Sequence, residues 1–288
     1  MEENYLPEQI LNVDENSLFW KWMPQKTFIR KEAKSISGFK AFKDRITLLL
    51  WGNVADCKLN PFLIWCNENP KSFKHMNKHT LPVYYRSNKR SWMTQLLFQD
   101  VLLNCYDSEM EKYYLVNNTL FKMLLILDNA PGYPSFIGDL HSDIRVVFLP
   151  PHTTSLIQLM DEGVSATFKA HYLRRTFAQS IDATEEDTEK TLMQFWKDYN
   201  IYHCIQKLTW AWSDVTKECM NGIWKNTLKR FGHDGKGFAK DEEVAKMSNA
   251  LVEMTRNFKL GVDEDGIEEL LEAVPEELTN GTGTRSQS

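Results

Sequence analysis

The chain has no apolar run long enough to cross a membrane. Its longest apolar runs, Ile46–Trp51 and Met123–Leu127, are far shorter than the roughly 20 residues that a membrane helix needs. The opening segment MEENYLPEQI is polar and acidic, unlike the charged and then apolar start of a secretory signal. We therefore expect no membrane partner and a cytosolic or nuclear location.

Several sequence signatures are also missing. The five cysteines are odd in number and include no C-x-x-C pair, which argues against a disulfide framework and favours a reducing compartment. The seven histidines show no metal-ligand spacing. There is no P-loop, no G-x-G-x-x-G and no G-x-S-x-G motif, so neither a nucleoside-triphosphate enzyme nor an esterase is indicated.

Charge is unevenly distributed along the chain, although the net charge is only −5. The stretch Lys21–Arg45 has eight basic residues against two acids, and Lys58–Arg90 has seven against one. The stretch Val262–Ser288 instead has eight acids against one arginine. A basic N-terminal half suits a polyanion such as nucleic acid. Two solvated basic faces without a ligand are the alternative interpretation.

Over the first two thirds of the chain, short apolar runs alternate with segments of helical periodicity. That alternation predicts an α/β fold, in which residues 1–182 form the main domain. Residues 183–262 are rich in helical patterns and predict a helical extension. Residues 263–288 predict an acidic, disordered tail. The predicted strands are Ile10–Val13, Ile46–Trp51, Phe62–Trp65, Met123–Leu127 and Arg145–Leu149.

Three aspartates occupy positions typical of an active site in such a fold. Asp14 ends the first apolar run, Asp128 follows a later one, and Asp161 lies in the first turns of a predicted helix. Open α/β sheets place their sites at strand ends. Carboxylates are the ligands that Mg²⁺ prefers, and a pair of such ions can catalyse phosphodiester cleavage.

Each aspartate also has a purely structural explanation. Asp14 and Asp128 could be turn formers, and Asp161 could stabilise the positive end of a helix dipole. Glu15 and Glu162 stand beside two of the candidates, so position alone does not decide which acid is the ligand.

Longer stretches around these acids resemble the catalytic domain of Tigger/pogo-type transposases. They are LNVDENSLFWKWMPQKTFI around Asp14, LLILDNAPGYP around Asp128 and VVFLPPHTTSLIQLMDEGVSATFKAHYLRRTF around Asp161. The resemblance implies an RNase H-like fold, with a mixed five-stranded sheet flanked by helices. It also implies that Asp14, Asp128 and Asp161 form a catalytic triad holding two Mg²⁺ ions, for which Mn²⁺ can substitute.

The same resemblance implies a nuclear protein whose ancestral activity is DNA cleavage and strand transfer, and it allows a homodimer. The chain begins 13 residues before Asp14, so we expect the helix-turn-helix domains that precede this block in the family to be missing. We therefore expect weak DNA binding without sequence specificity.

Some family positions are changed in this chain. Asn16 and Ser17 stand where the family has Thr-Gly, Tyr133 stands for His, Leu159 for Pro and Glu162 for Gln. We expect Ser17 to strain the strand end and Tyr133 to have replaced a phosphate donor. Both changes favour reduced catalysis. Two alternatives therefore stand beside the enzyme: a domesticated DNA- or protein-binding factor without catalysis, and a degraded copy with no selected role.

Overall fold

The computed structural model describes residues 5–21, 44–134, 136–149, 163–186, 191–220 and 240–257, together with residues 224, 267 and 271. In this part of the chain, one mixed sheet carries helices on both faces. Among the same residues, no helix combines the length and the apolar character that a membrane crossing requires.

The sheet has six strands in the order β4-β3-β2-β1-β5-β6. β2 runs antiparallel to its neighbours β1 and β3, whereas the β3–β4, β1–β5 and β5–β6 pairs are parallel. The RNase H-like arrangement consists of a β1-β2-β3 meander and of parallel strands, here β5 and β6, added on the far side of β1. The strands are β1 (Ile10–Lys21), β2 (Asp44–Asn53), β3 (Phe62–Trp65), β4 (Tyr84–Ser87), β5 (Met123–Leu127) and β6 (Ile144–Phe148).

The prediction of five strands was one too few. The additional strand is β4, a four-residue edge strand with the sequence YYRS. It contains no apolar run, because only Tyr85 of its four side chains is fully buried. Short edge strands of this kind carry little hydrophobic signal.

The helices fall into two groups. The first group is one continuous rod, in which a π-helical segment at Val101–Tyr106 joins α1 to α2. The second group packs around the longest helix, α3. The helices are α1 (Gln95–Asp100), α2 (Asp107–Val116), α3 (Ser165–Glu186), α4 (Leu192–Asp198), α5 (Ile201–Asp214) and α6 (Lys240–Asn257).

Each face of the sheet has its own hydrophobic core. We call the side covered by α3, α4 and α5 the α3 face, and the side covered by α1, the π-helical segment and α2 the α1 face. The core of the α3 face includes Trp20, Ile46, Leu48, Phe168, Trp196 and Trp212. The core of the α1 face includes Leu11, Trp51, Phe98, Tyr106 and Leu125. The interpretation of Trp20 and Trp51 as core residues is confirmed by their burial.

Two lysines, Lys21 at the end of β1 and Lys58 in the connection after β2, cap the helices of the α3 face. The Lys58 ammonium donates to the backbone oxygens of Trp212 and Val215, at 2.7 Å each, where α5 ends. The Lys21 ammonium donates to the oxygen of Tyr199 at 2.8 Å, just after α4. Cations are favoured at these helix ends, where carbonyls lack partners inside the helix.

The helices beyond residue 182 therefore share one core with the sheet. The boundary at 182 lies inside α3, and the division of the chain into domains stays a prediction.

Candidate active site

Asp14 lies in the middle of β1, and the expectation that it ends the first strand was wrong. β1 continues for seven residues beyond it, to Lys21, and Asp14 pairs with Leu50 of β2. The apolar run stops at Asp14, but the strand continues because β2 supplies a full antiparallel partner and the Asn16 side chain donates to the Asp14 carboxylate. A polar segment can be a buried strand when its groups are paired.

Asp14 and Asp128 both come shortly after the paired part of two neighbouring parallel strands. β1 pairs with β5 in a register whose last pair matches Asn12 with Ile126. Asp14 and Asp128 each follow two residues later, and Asp128 lies just beyond the end of β5. Asn12 donates a side-chain hydrogen bond to the Ile126 oxygen at 3.0 Å, which fixes this register just before the two acids.

The Asp14 carboxylate is buried and held from two sides. The side chain is 3% exposed. Its Oδ2 accepts from Nδ2 of Asn16 at 2.8 Å and from the Ser165 hydroxyl at 3.1 Å. Ser165 is the first residue of α3, so the N-terminal end of this helix lies against the carboxylate. Charge-assisted hydrogen bonds of this kind hold a carboxylate in a fixed orientation.

Asp161, the third member of the predicted triad, lies outside the described residues, as does Glu162. In sequence, Asp161 precedes Ser165 by four residues. Among the described residues, no group of three or more metal-ligating side chains comes together.

Glu15 lies on the opposite side of the sheet from Asp14. Alternation along β1 turns Glu15 toward the α1 face, where its carboxylate accepts a hydrogen bond from the Met93 backbone. Burial raises the pKa of Glu15 to about 7, the nearby Asp128 charge adds to the increase, and Arg45 opposes it. The two adjacent side chains therefore point to opposite faces of the sheet, although Glu15 remains close enough to Asp128 for their charges to interact.

Tyr133 is a core residue of the α1 face. It is 6% exposed and packs edge-to-face on Phe98 with ring centroids 4.5 Å apart. Burial raises the pKa of its hydroxyl, and the charges of Asp128, Glu15 and Asp14 add to that increase. All three carboxyl groups are thus within electrostatic range of Tyr133. Its ring packs in the core, however, and does not face the solvent from which a phosphate would approach.

The expectation that Ser17 strains the backbone was wrong. Ser17 forms a regular antiparallel pair with Thr47 of β2, and it is not among the described residues with positive φ. Its hydroxyl, however, is buried and finds no hydrogen-bond partner among the described residues. The cost of a serine here is an unsatisfied hydroxyl, which a glycine would not have.

Comparison with protein families decides the assignment of this domain. Residues 43–224, more than half of the chain, match the family model of the DDE superfamily endonuclease domain. The chain belongs to the DDE superfamily endonuclease family. The matched segment includes Asp128 and Asp161, whereas Asp14 precedes it.

The curated relatives of this endonuclease domain include transposable element-derived proteins. It is 29% identical to human Tigger transposable element-derived protein 7, over 79% of this chain and 43% of that protein. It is 28% identical to mouse Tigger transposable element-derived protein 4, over 75% and 38% of the two chains. ARS-binding protein 1 of Schizosaccharomyces pombe is 25% identical, over 75% and 40%. The chain thus spans about two fifths of the length of these relatives.

Among solved structures, the chain resembles the Mos1 mariner paired-end complex with Mn. The TM-score is 0.34 at 14% identity, over 81% of this chain and 58% of that chain. The RNase H-like assignment of this DDE endonuclease domain follows from its strand order and strand directions.

Proposed function

We propose that this domain is a transposase-derived DNA strand-cleaving unit whose site consists of Asp14, Asp128 and Asp161. Its substrate would be the phosphodiester backbone of DNA, bound weakly and without sequence specificity, in the nucleus. The observation that supports the proposal is the register of β1 and β5, whose last pair lies two residues before both Asp14 and Asp128, together with the contact of Asp14 with Ser165 where α3 begins.

The position of Ser165 supports the inclusion of Asp161. Ser165 contacts Asp14 directly, and four residues of chain span at most about 14 Å. The length of chain between Asp161 and Ser165 therefore permits Asp161 to join Asp14 in the proposed site. Glu162 is the competing third acid, because it is one residue nearer to Ser165.

The donor set fits a hard divalent cation. Asp14 and Asp128 offer carboxylate oxygens, and no histidine or cysteine joins them among the described residues, which is the chemistry that Mg²⁺ and Mn²⁺ prefer. Bound Mg²⁺ would supply Lewis acid activation of the attacking oxygen and stabilisation of the leaving oxygen. The protein's own contribution would be orientation, since the Ser165 hydroxyl at the start of α3 donates to Oδ2 of Asp14.

A nicking assay on supercoiled DNA tests the proposal. The unmodified chain with Mg²⁺ or Mn²⁺ should convert supercoiled plasmid slowly to the nicked circle, and Asp128→Asn should abolish that conversion. Calorimetric titration with Mn²⁺ gives a readout independent of turnover. Nicking that persists in Asp128→Asn would point to a contaminant or another site, and absence of both nicking and metal binding would contradict the proposal.

A second candidate is a DNA- or protein-binding factor without catalysis. One observation favours it: Asn16, which replaces the threonine of the family, donates directly to the Asp14 carboxylate. Asn16 thus forms a hydrogen bond with the carboxylate that a metal ion would need as a ligand. If this candidate is correct, Asn16→Thr should raise Mn²⁺ affinity and nicking, whereas DNA affinity should stay the same. A homodimer, expected from the resemblance, is tested by sedimentation with and without DNA.

A further inference from the structure

A short basic turn follows β4 at the same edge of the sheet as the carboxylate pair. The turn comprises Asn88–Met93, with the sequence NKRSWM. β4 runs parallel to β3, and β1 to β5, with the antiparallel β2 between the two pairs. The end of β4, where this turn begins, and the end of β5, where Asp128 lies, therefore fall on the same edge.

The Asn88 side chain holds the turn in one conformation. Its Oδ1 accepts from the backbone nitrogens of Arg90 at 3.0 Å and Trp92 at 3.1 Å, and its Nδ2 donates to the Trp92 oxygen. Ser91 adopts a positive φ of 54° at the centre of the turn. Its oxygen accepts from the Thr47 hydroxyl of β2 at 2.5 Å. A residue is held in this unfavourable conformation only where the surroundings impose it.

Met93 connects the turn to both strands of the candidate site. Its backbone donates to the Glu15 carboxylate, next to Asp14 in β1. Its side chain packs against Gly132 in the loop after β5, where an added Cβ would lie only 3.1 Å from Cγ of Met93. The position of the turn is therefore fixed relative to both Asp14 and Asp128.

The turn presents cations around one indole ring. The guanidinium of Arg90 lies 5.5 Å from the centroid of Trp92, and that of Arg45, near the start of β2, lies 5.8 Å from it. Lys89 and Arg90 are exposed. Within the described part of the chain, neither of these two residues nor Arg45 forms an ion pair within 4 Å. Arg45 also lies within electrostatic range of Glu15, whereas Lys89 and Arg90 face solvent. Guanidinium groups held in a rigid geometry suit phosphate oxygens.

We propose that Arg45, Lys89 and Arg90, arranged around Trp92, bind the backbone phosphates of the DNA strand that enters the carboxylate site. This inference rests on the proposed function, because the ligand is the same DNA. Trp92 and Asn88 are positioning residues: the ring orients the guanidinium groups by cation–π contact, and the amide holds the turn. The contacts read no bases, in agreement with binding that is indifferent to sequence.

The test is DNA affinity as a function of salt, measured by fluorescence anisotropy with a labelled duplex and no added metal. Each lost phosphate contact lowers the slope of log affinity against log salt by about 0.9. Lys89→Ala/Arg90→Ala should therefore lower the slope by about 1.8 and the affinity by roughly 60-fold at 0.1 M salt. The matched control is Lys112→Ala/Lys217→Ala, which removes two exposed charges elsewhere and should leave the slope unchanged.

A third variant separates geometry from charge. Asn88→Ala keeps every cation but removes the hydrogen bonds that hold the turn, so affinity should fall while net charge stays constant. Thermal melts and circular dichroism check that each variant is folded. Equal slopes for Lys89→Ala/Arg90→Ala and its control, with the unmodified chain still binding DNA, would overturn this inference and leave the proposed function standing. Failure of the unmodified chain to bind DNA would overturn both.

Discussion

The two faces of the sheet give the adjacent acids Asp14 and Glu15 different surroundings. On the α3 face, Asp14 is surrounded by polar groups and accepts hydrogen bonds from Asn16 and Ser165. On the α1 face, Glu15 accepts a hydrogen bond from the Met93 backbone and lies near the charges of Asp128 and Arg45, and burial raises its pKa to about 7. The two acids therefore have different hydrogen-bond partners and different charged neighbours.

Strand periodicity is what separates these two environments. Because side chains alternate across a strand, adjacent residues can belong to different cores. The α3 face has helix α3 beginning at its acids, while the α1 face has the turn Asn88–Met93 held against β1 and the loop after β5. Under the proposed function, the metal ligand Asp14 lies on the α3 face, and the turn that binds the entering strand is held from the α1 face at the same edge of the sheet.

Removal of a large core side chain from either face gives the largest expected effect. Phe168 of the α3 face and Phe98 of the α1 face are both 0% exposed. Phe168→Ala and Phe98→Ala should each lower the free energy of unfolding by about 3–5 kcal/mol, since each leaves a cavity. Urea denaturation measures both. A loss confined to one variant would mean that only one face stabilises the sheet.

Loss of a helix-capping lysine should have an intermediate effect. Lys58→Met removes the ammonium group that binds the carbonyls at the end of α5, which should cost about 1–3 kcal/mol. Lys112→Met, on an exposed position of α2, is the matched control and should change stability by less than about 0.5 kcal/mol. Equal melting temperatures for the two variants would show that the Lys58 contacts add no stability.

The smallest effect concerns the contact between Gly132 and Met93. Gly132→Ala places a Cβ 3.1 Å from Cγ of Met93, so the side chain must shift, and we expect a loss of about 1 kcal/mol. Gly138→Ala is the control, because its nearest atoms would lie 4.0 Å away. That change should be neutral or slightly stabilising. Thermal melts compare the two variants, and a loss in Gly138→Ala alone would contradict this view of the packing.

The sequence predicted the parts of the fold that carry a hydrophobic signal. Five apolar runs are strands, and Asp128 directly follows the strand that ends at Leu127. The strand β4 and the continuation of β1 past Asp14 were not predictable in this way, because YYRS and DENS lack the periodicity of a buried strand. Their strand conformation depends on pairing with neighbours that are distant in sequence.

The counts of basic residues overstated the charge available to a polyanion. Lys21 and Lys58 bind helix ends, and Arg86 pairs with Asp100 at 2.6 Å, so these cations have structural partners. The turn that contains Lys89 and Arg90 was not recognised as a unit. Asn88 was its available signal, since asparagine side chains often bond to the backbone two residues on, but the contact with Glu15 needed the structure.

Metal titration of three single variants tests the central claim most directly, namely that adjacent acids on opposite faces have different roles. Asp14→Asn, Asp128→Asn and Glu15→Gln would each be titrated with Mn²⁺ by calorimetry. The account predicts at least a roughly tenfold loss of affinity for the two aspartate variants, because each loses a charged ligand oxygen. It predicts a change within about twofold for Glu15→Gln, because this side chain points to the other face of the sheet from Asp14 and is not a ligand. Full Mn²⁺ affinity in Asp14→Asn, together with loss of affinity in Glu15→Gln, would contradict it.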